Sequence, residues 1–241
     1  MRIGVISDLH ANYVATEAVL DAMGPVDMVW CLGDLVGYGA EPNECIQAVQ
    51  PFQLRGLRGN HDLAAIGQAP LSLFNKDAAA AVAWTKDALT PENRTFLEGL
   101  PERRVESGKF TLVHGSPREP VWEYLLEPQQ ALENFPFFET PLCMVGHTHI
   151  PLLFDEHGEG GVVRDDFVVT HRNRPFQRLI INPGSVGQPR DRNPKAAYMI
   201  IETFPLRLEW RRVAYNIAKA QRRILQAGLP SSLADRLSQG V

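Results

Sequence analysis

Short apolar runs, each closed by glycine, proline or a polar residue, recur along the first 150 positions, and their lengths separate strands from helices. RIGVI at Arg2–Ile6 and the runs at 28–32, 52–57, 109–113 and 142–145 are too short for buried helices and predict strands. Between them the apolar period lengthens to that of a helix. Asn12 is a good N-cap for a helix with Ala15, Val19, Ala22 and Met23 on one face, stopped by Gly24 and Pro25. Residues 44–50 predict a short helix. Asn75 caps an alanine-rich one with Ala78, Ala81, Val82, Thr85 and Leu89 on one face, and Thr90-Pro91-Glu92 starts another that Gly99 stops. A further helix is predicted at 127–135. Strand, loop, helix, strand is the grammar of a mostly parallel sheet in an α/β protein.

Beyond residue 150 the pattern changes. Residues 152–155, 161–170, 178–181, 197–203 and 206–214 predict strands joined by turns, hence a second sheet of more antiparallel character. Residues 182–194, NPGSVGQPRDRNP, are dense in glycine and proline and predict an elaborate loop. Two short helices, at 216–227 and 231–238, close the chain, either packing on the core or supporting a homo-oligomer. There is no internal repeat and no interdomain linker, so one domain spanning 1–241 is expected.

Composition narrows the class. With 241 residues, 44% of them hydrophobic, the chain can build one sizeable α/β core. A formal net charge of −4 gives no basic footprint for nucleic acid or an anionic membrane surface. The three cysteines, Cys31, Cys45 and Cys143, are too few and scattered for a disulfide framework and read as reduced, small hydrophobes. The first strand begins at Arg2 with no signal peptide before it, and no run approaches transmembrane length, so a cytoplasmic protein is expected.

The candidate chemistry sits at the strand ends. Asp8 and His10 follow the first strand, Asp34 the second, Asn60 and His61 the third, His114 the fourth, and His147 and His149 the fifth. Five of the seven histidines are placed this way, at the carboxyl ends where open α/β sheets hold their sites. Asp8 and His10, like His147 and His149, are two residues apart, which in near-extended chain sends both side chains to one side. The set exceeds what one tetrahedral ion uses. Two divalent cations about 3.5–4 Å apart repel by about 17 kcal/mol at an effective dielectric of about 20, so an anion must lie between them. Asp34, alone on its loop, is the expected bridge, one oxygen to each ion. Imidazole, carboxylate and amide donors without thiolate suit manganese, iron or zinc better than magnesium alone. Tyr38, Arg118 and Arg190 are candidate substrate contacts, set against packing for Tyr38, surface ion pairing for Arg118 and turn chemistry for Arg190 and its neighbour Ser185. His157 and His171, among charged residues, read as solvated.

The ordered series Asp8-x-His10, Gly33-Asp34, Gly59-Asn60-His61-Asp62, His114 and Gly146-His147-x-His149 resembles the calcineurin-like metallophosphoesterase superfamily, in particular its small bacterial and archaeal members, which Asn182-Pro183-Gly184-Ser185 also resembles. The resemblance implies an α/β four-layer sandwich, two packed mixed β-sheets flanked by helices. It implies one metal held by Asp8, His10, Asp34 and His149, a second by Asp34, Asn60, His114 and His147, and His61 as the catalytic histidine. Manganese becomes the favoured ion. The chain departs from the resembling protein phosphatases and symmetrical dinucleoside tetraphosphatases by carrying Gly37-Tyr38-Gly39 where they have an arginine, and it lacks their acidic partner for the histidine. The expected activity is metal-dependent hydrolysis of a phosphodiester or phosphomonoester of a small, nucleotide-like molecule, by hydroxide generated between the metals, with His61 as imidazolium protonating the leaving oxygen. A phosphoprotein phosphatase, a dinucleoside polyphosphate hydrolase and a non-catalytic binding module on the same fold are the alternatives.

Overall fold

The chain begins as its pattern predicts. Strand β1 (Arg2–Ile6) pairs in parallel with β2 (Met28–Cys31), and β2 with β3 (Leu54–Gly56), while helices α1 (Tyr13–Met23) and α2 (Pro42–Val49) make the crossovers. The computed structural model describes residues 1–164, 166–170 and 178–241. A short helix, α3 (Asn60–Ala65), follows β3, and α4 (Lys76–Ala88) and α5 (Pro91–Glu98) lead to β4 (Arg103–Glu106) and β5 (Phe110–Val113). Helix α6 (Pro128–Asn134) precedes β6 (Leu142–Met144), β7 (Pro151–Asp155), β8 (Gly160–Val162), β9 (Val168–Thr170), β10 (Leu179–Pro183), β11 (Ala196–Thr203) and β12 (Leu206–Val213). Helices α7 (Ile217–Gln226) and α8 (Ser231–Gln239) end the chain.

Two six-stranded mixed sheets result, in the orders β3-β2-β1-β11-β12-β9 and β4-β5-β6-β10-β7-β8. The period of two along each central strand divides its side chains between layers. Val29 and Cys31 face α1 and α2, whereas Trp30 and Leu32 face the opposite sheet; Tyr198 and Ile200 are divided from Met199 and Ile201 in the same way. The apolar layer between the sheets thus joins Ile3, Val5, Trp30 and Met199 of one to Phe110, Leu112, Met144 and Ile181 of the other. Each such side chain fully withdrawn from water contributes about 1.5–3 kcal/mol. Ala131 and Phe135 close the outer face of the second sheet over Cys143, Phe154 and Ile180, completing helix, sheet, sheet and helix layers.

Three expectations are corrected. The strands beyond residue 150 do not form a sheet of their own: β9, β11 and β12 extend the first sheet, and β7, β8 and β10 the second. β1 is buried on both faces and needs a neighbour on each side, which β11 supplies antiparallel from nearly 200 residues away. The strand expected at 161–170 is two pieces in different sheets; Asp165 between them, and His171 beyond, lie outside the described residues. Residues 58–62, whose sequence RGNHD predicts a tight turn after the third strand, are instead the entry to α3. The cysteines are buried and unpaired, and α7 and α8 pack on the core through Ala220, Ile224, Leu233 and Leu237 against Val14, Ala78 and Ala81. No helix among the described residues is long and apolar enough to cross a membrane.

Candidate metal centre

The loops leaving β1, β2, β3, β5 and β6 meet at one edge of the sandwich and are laced together by backbone. Asp8 N donates to Gly33 O and His10 N to Asp34 O, both at 3.0 Å, and Gly146 N donates to His114 O at 2.7 Å. The 182–194 loop braces the first of them: Gly187 N donates to Asp8 O at 2.9 Å and Ser185 Oγ to the same oxygen at 2.8 Å, which gives Ser185 a structural task. Asp8, His10, Asp34, His147 and His149 all have left-handed backbone, with φ of 54°, 47°, 52°, 65° and 61°. The paired residues therefore converge through tight left-handed turns and not through extended chain. Each such residue costs about 1–2 kcal/mol, a strain that gathers where side chains must be aimed.

Two clusters of lone pairs result. His10 Nδ1 donates to Val36 O (3.2 Å) and His149 Nδ1 to Gln188 O (2.6 Å), so the bare Nε2 atoms of both rings face each other at 3.0 Å. Asp8 Oδ1 lies 3.4 Å from His149 Nε2. In the second cluster His114 Nδ1 donates to Leu32 O (2.9 Å) and His147 Nε2 to Trp122 O (3.1 Å). That leaves His114 Nε2 facing His147 Nδ1 and Asn60 Oδ1, each at 3.2 Å. Between the clusters stands Asp34. Its Oδ1 accepts from His61 N at 2.9 Å, while Oδ2, with no hydrogen-bond donor, lies 3.6 Å from His10 Nε2 and 3.4 Å from His114 Nε2. In this arrangement the Oδ2 atom faces both clusters. The two groups, Asp8, His10, Asp34 and His149, and Asp34, His114 and His147, each bring their ligand atoms within 4.8 Å of one another, all buried.

Acceptors facing acceptors in a buried site are costly unless a cation lies between them, and this donor set fits divalent transition ions. A proton partly fills that place. Burial opposes charge on His114, yet Asp34 outweighs it and raises the imidazole to about 9, so His114 and Asp34 form an ion pair. Asp34 is correspondingly held below the usual carboxylate range, against its burial, chiefly by His114. Burial lifts Asp8 to about 7 and lowers His147 to about 3. It also presses His10 and His149 far down.

His61 sits beside the clusters, its ring 4.8 Å from His10, 4.4 Å from Tyr38 and 4.9 Å from Phe74. Burial lowers its imidazole to about 4, so the ring is neutral near pH 7 and the imidazolium expected from the sequence is not its resting form. Gly37 makes room for it: at φ 88° a Cβ there would fall 2.3 Å from His61 Nδ1. Tyr38 is buried with its ring against His10 and His61, and its hydroxyl accepts from Arg190 Nη2 at 3.2 Å. Arg118 is drawn away to Glu123 and Glu133 and makes the surface ion pairs that its solitary charge suggested. His157 is exposed in a turn.

Several residues at the site were given no role by the sequence. Asp62 accepts from Gly59 N (3.0 Å) and Val36 N (3.2 Å), tying the Asp34 loop to the start of α3; an acid three residues after an N-cap was its signal. Tyr124 stacks on His147 at 4.0 Å, and Phe74 meets Trp122 at 5.7 Å. No local pattern marks these aromatics, because only the fold gathers them.

Comparison with known proteins agrees with this geometry. The chain is 39% identical, over 249 aligned positions, to an uncharacterised protein of Methanocaldococcus jannaschii, covering 99% of this chain and 98% of that one. A crystal structure of a metallophosphoesterase from Sphaerobacter thermophilus is 47% identical, superposes with a TM-score of 0.91, and covers 100% of this chain and 99% of its own. A hypothetical protein from Pyrococcus horikoshii shares the fold at a TM-score of 0.83 and 20% identity, with 100% and 98% coverage. The family description "Calcineurin-like phosphoesterase superfamily domain" matches residues 1–204. With two lone-pair clusters joined by one aspartate and a match over most of its length, this chain belongs to the calcineurin-like phosphoesterase superfamily.

Proposed function

We propose that this protein is a binuclear, metal-dependent phosphoesterase, one domain over residues 1–241, that hydrolyses a monoester or diester of a small, nucleotide-like phosphate. The observation that carries this reading is the pair of buried lone-pair clusters sharing Asp34 Oδ2. Asp8, His10, Asp34 and His149 would hold one ion and Asp34, Asn60, His114 and His147 the other, with manganese favoured over iron or zinc. Divalent cations held there would supply Lewis-acid attraction for a phosphate ester and acidify a bound water.

The chain's own groups do the rest. Val36, Leu32, Trp122 and Gln188 carbonyls fix the four imidazoles in the tautomers that leave the inward nitrogens bare. Asp34 Oδ1, held by the His61 N–H, keeps Oδ2 turned inward. His61 is the proposed catalytic residue: as a neutral ring it donates a hydrogen bond to the leaving oxygen, and an incoming phosphate dianion raises its proton affinity. Arg190, whose Nε has no partner, is the proposed anchor for phosphoryl oxygens. Tyr38, Phe74, Trp122 and Tyr124 wall the approach with aromatic surface suited to a small aryl or base group.

The test is metal content of the purified and manganese-reconstituted chain, followed by turnover of chromogenic mono- and diesters, a phosphopeptide and a dinucleoside polyphosphate. The expected result is about two ions per chain and manganese-dependent turnover of the small esters above the phosphopeptide. Absence of bound transition metal after reconstitution overturns the reading. Metal uptake without turnover of any ester favours a binding module.

A further inference from the structure

Outside the clusters, two arginines meet around Tyr38. The Arg190 guanidinium carbon lies 5.8 Å from the Tyr38 ring centroid, and that of Arg236 also lies 5.8 Å from it. Arg190 comes from the 182–194 loop and Arg236 from α8, beyond the 1–204 segment that defines the family match. Among the described residues neither has an Asp or Glu carboxylate within ion-pair distance. Arg190 spends one Nη2 on the Tyr38 hydroxyl (3.2 Å) and on Gln188 Oε1 (3.0 Å), leaving a buried Nε with nothing to donate to. Arg236 Nε donates to Val241 O at 2.6 Å, and its two terminal nitrogens have no acceptor among the described residues.

This juxtaposition is built into the fold. Arg192 N donates to Gly240 O at 2.8 Å, clasping the end of α8 to the Arg190 loop. Gly240, at φ 67°, fits there because a Cβ would fall 2.7 Å from Asn193 N. Burial and the neighbouring Arg190 press the Arg236 guanidinium below its usual pKa, with Tyr38 and Asp77 opposing them in part.

We propose that Arg190 and Arg236 form an anion subsite at the mouth of the metal centre that holds a second phosphoryl group of the substrate, adjacent to the one hydrolysed. The proposal rests on the phosphoesterase reading above and narrows it to compounds with two neighbouring phosphoryl groups, of which a nucleoside diphosphate is the simplest probe. Arg236, supplied by the C-terminal helix, is the specificity-determining residue.

The experiment compares AMP and ADP as inhibitors of a chromogenic ester at saturating manganese, and the melting shift given by pyrophosphate to the metal-free chain, in wild type, Arg236→Met and Arg236→Lys. ADP is expected to bind wild type about tenfold more tightly than AMP, an advantage that Arg236→Met removes while AMP is unchanged and that Arg236→Lys keeps in part. Pyrophosphate should raise the melting temperature of metal-free wild type, and less so that of Arg236→Met. An equal loss for AMP and ADP would place the guanidinium on the hydrolysed phosphate and overturn the proposal, as would no change for either. If wild type takes up no manganese and cleaves no ester, the phosphoesterase reading fails by itself. A pyrophosphate shift that depends on Arg236 would then still support the subsite, and its absence would overturn both. Gly240→Ala, which pushes α8 off the loop, should reproduce the ADP-selective loss where Arg236→Met does not fold.

Discussion

A carboxylate oxygen that faces the inward nitrogens of both His10 and His114 makes Asp34 the residue on which the site turns. Asp34→Asn keeps the size and the acceptor for His61 N but removes the charge between the cations. Manganese content is expected to fall from about two ions to less than one, with turnover lost alongside it; full metal loading of the variant would contradict the bridging role. His61→Ala should separate the two effects, retaining both ions while losing about 10²-fold or more in rate, as removal of a hydrogen-bond donor to developing charge does. Normal turnover by this variant would sink the role given to His61. Gly37→Ala tests the same ring from outside: with a Cβ 2.3 Å from Nδ1 it must displace the imidazole, so kcat should fall without loss of metal.

At the scale of elements, α3 is where local order supports chemistry. Asp62 receives the N–H groups of Gly59 and Val36, so one side chain fixes both the helix start and the loop after Asp34. Asp62→Ala strands two buried donors, at about 1–3 kcal/mol each, and should lower both the urea midpoint of the metal-free chain and manganese affinity, the latter by about 10–100-fold. Unchanged affinity would confine Asp62 to stability alone. The same element shows why the sequence was legible in part. Strands β1, β2, β5 and β6 announced themselves as bounded apolar runs, and the candidate ligands at their ends were legible because a loop residue's type survives without its geometry. α3 has six residues and no apolar period, and β4, RRVE, is a charged edge strand, so neither carried a signal. The division of the late strands between two sheets depends on pairings such as Arg2 with Glu202, which no local window contains. The convergence of Asp8 with His10 was foreseen with the wrong cause, since left-handed φ at both is imposed by neighbouring loops.

For the molecule as a whole, the centre lies across the seam of the sandwich: Asp8, Asp34 and Asn60 extend from β1, β2 and β3 of one sheet, and His114, His147 and His149 from β5 and β6 of the other. Ions bound there would tie the sheets together at the edge opposite the Met1 and Thr203 end, adding about 2.7 kcal/mol for a site at a hundredfold its Kd. The size of that gain should depend on pH, with a sign that can be worked out. In the metal-free chain His114 is raised to about 9, so its contribution is complete below its unfolded value near 6.5 and is lost as pH rises through 9. Asp8 and Asp62, raised to about 7 by burial, lose theirs in the same direction as pH rises through 7. His61 and His147, lowered to about 4 and 3, are neutral when folded, so they add a small opposing gain only until their unfolded imidazoles are neutral, about one unit above 6.5, and no slope beyond. Metal binding replaces these protons and so is favoured by the same rise. The melting temperature of the metal-free chain should therefore fall between pH 6.5 and 9 while that of the manganese-loaded chain holds, and the gap between the two should widen. A gap independent of pH over that window, measured by calorimetry in matched buffers, would mean that His114 and Asp8 do not give up protons to the metal.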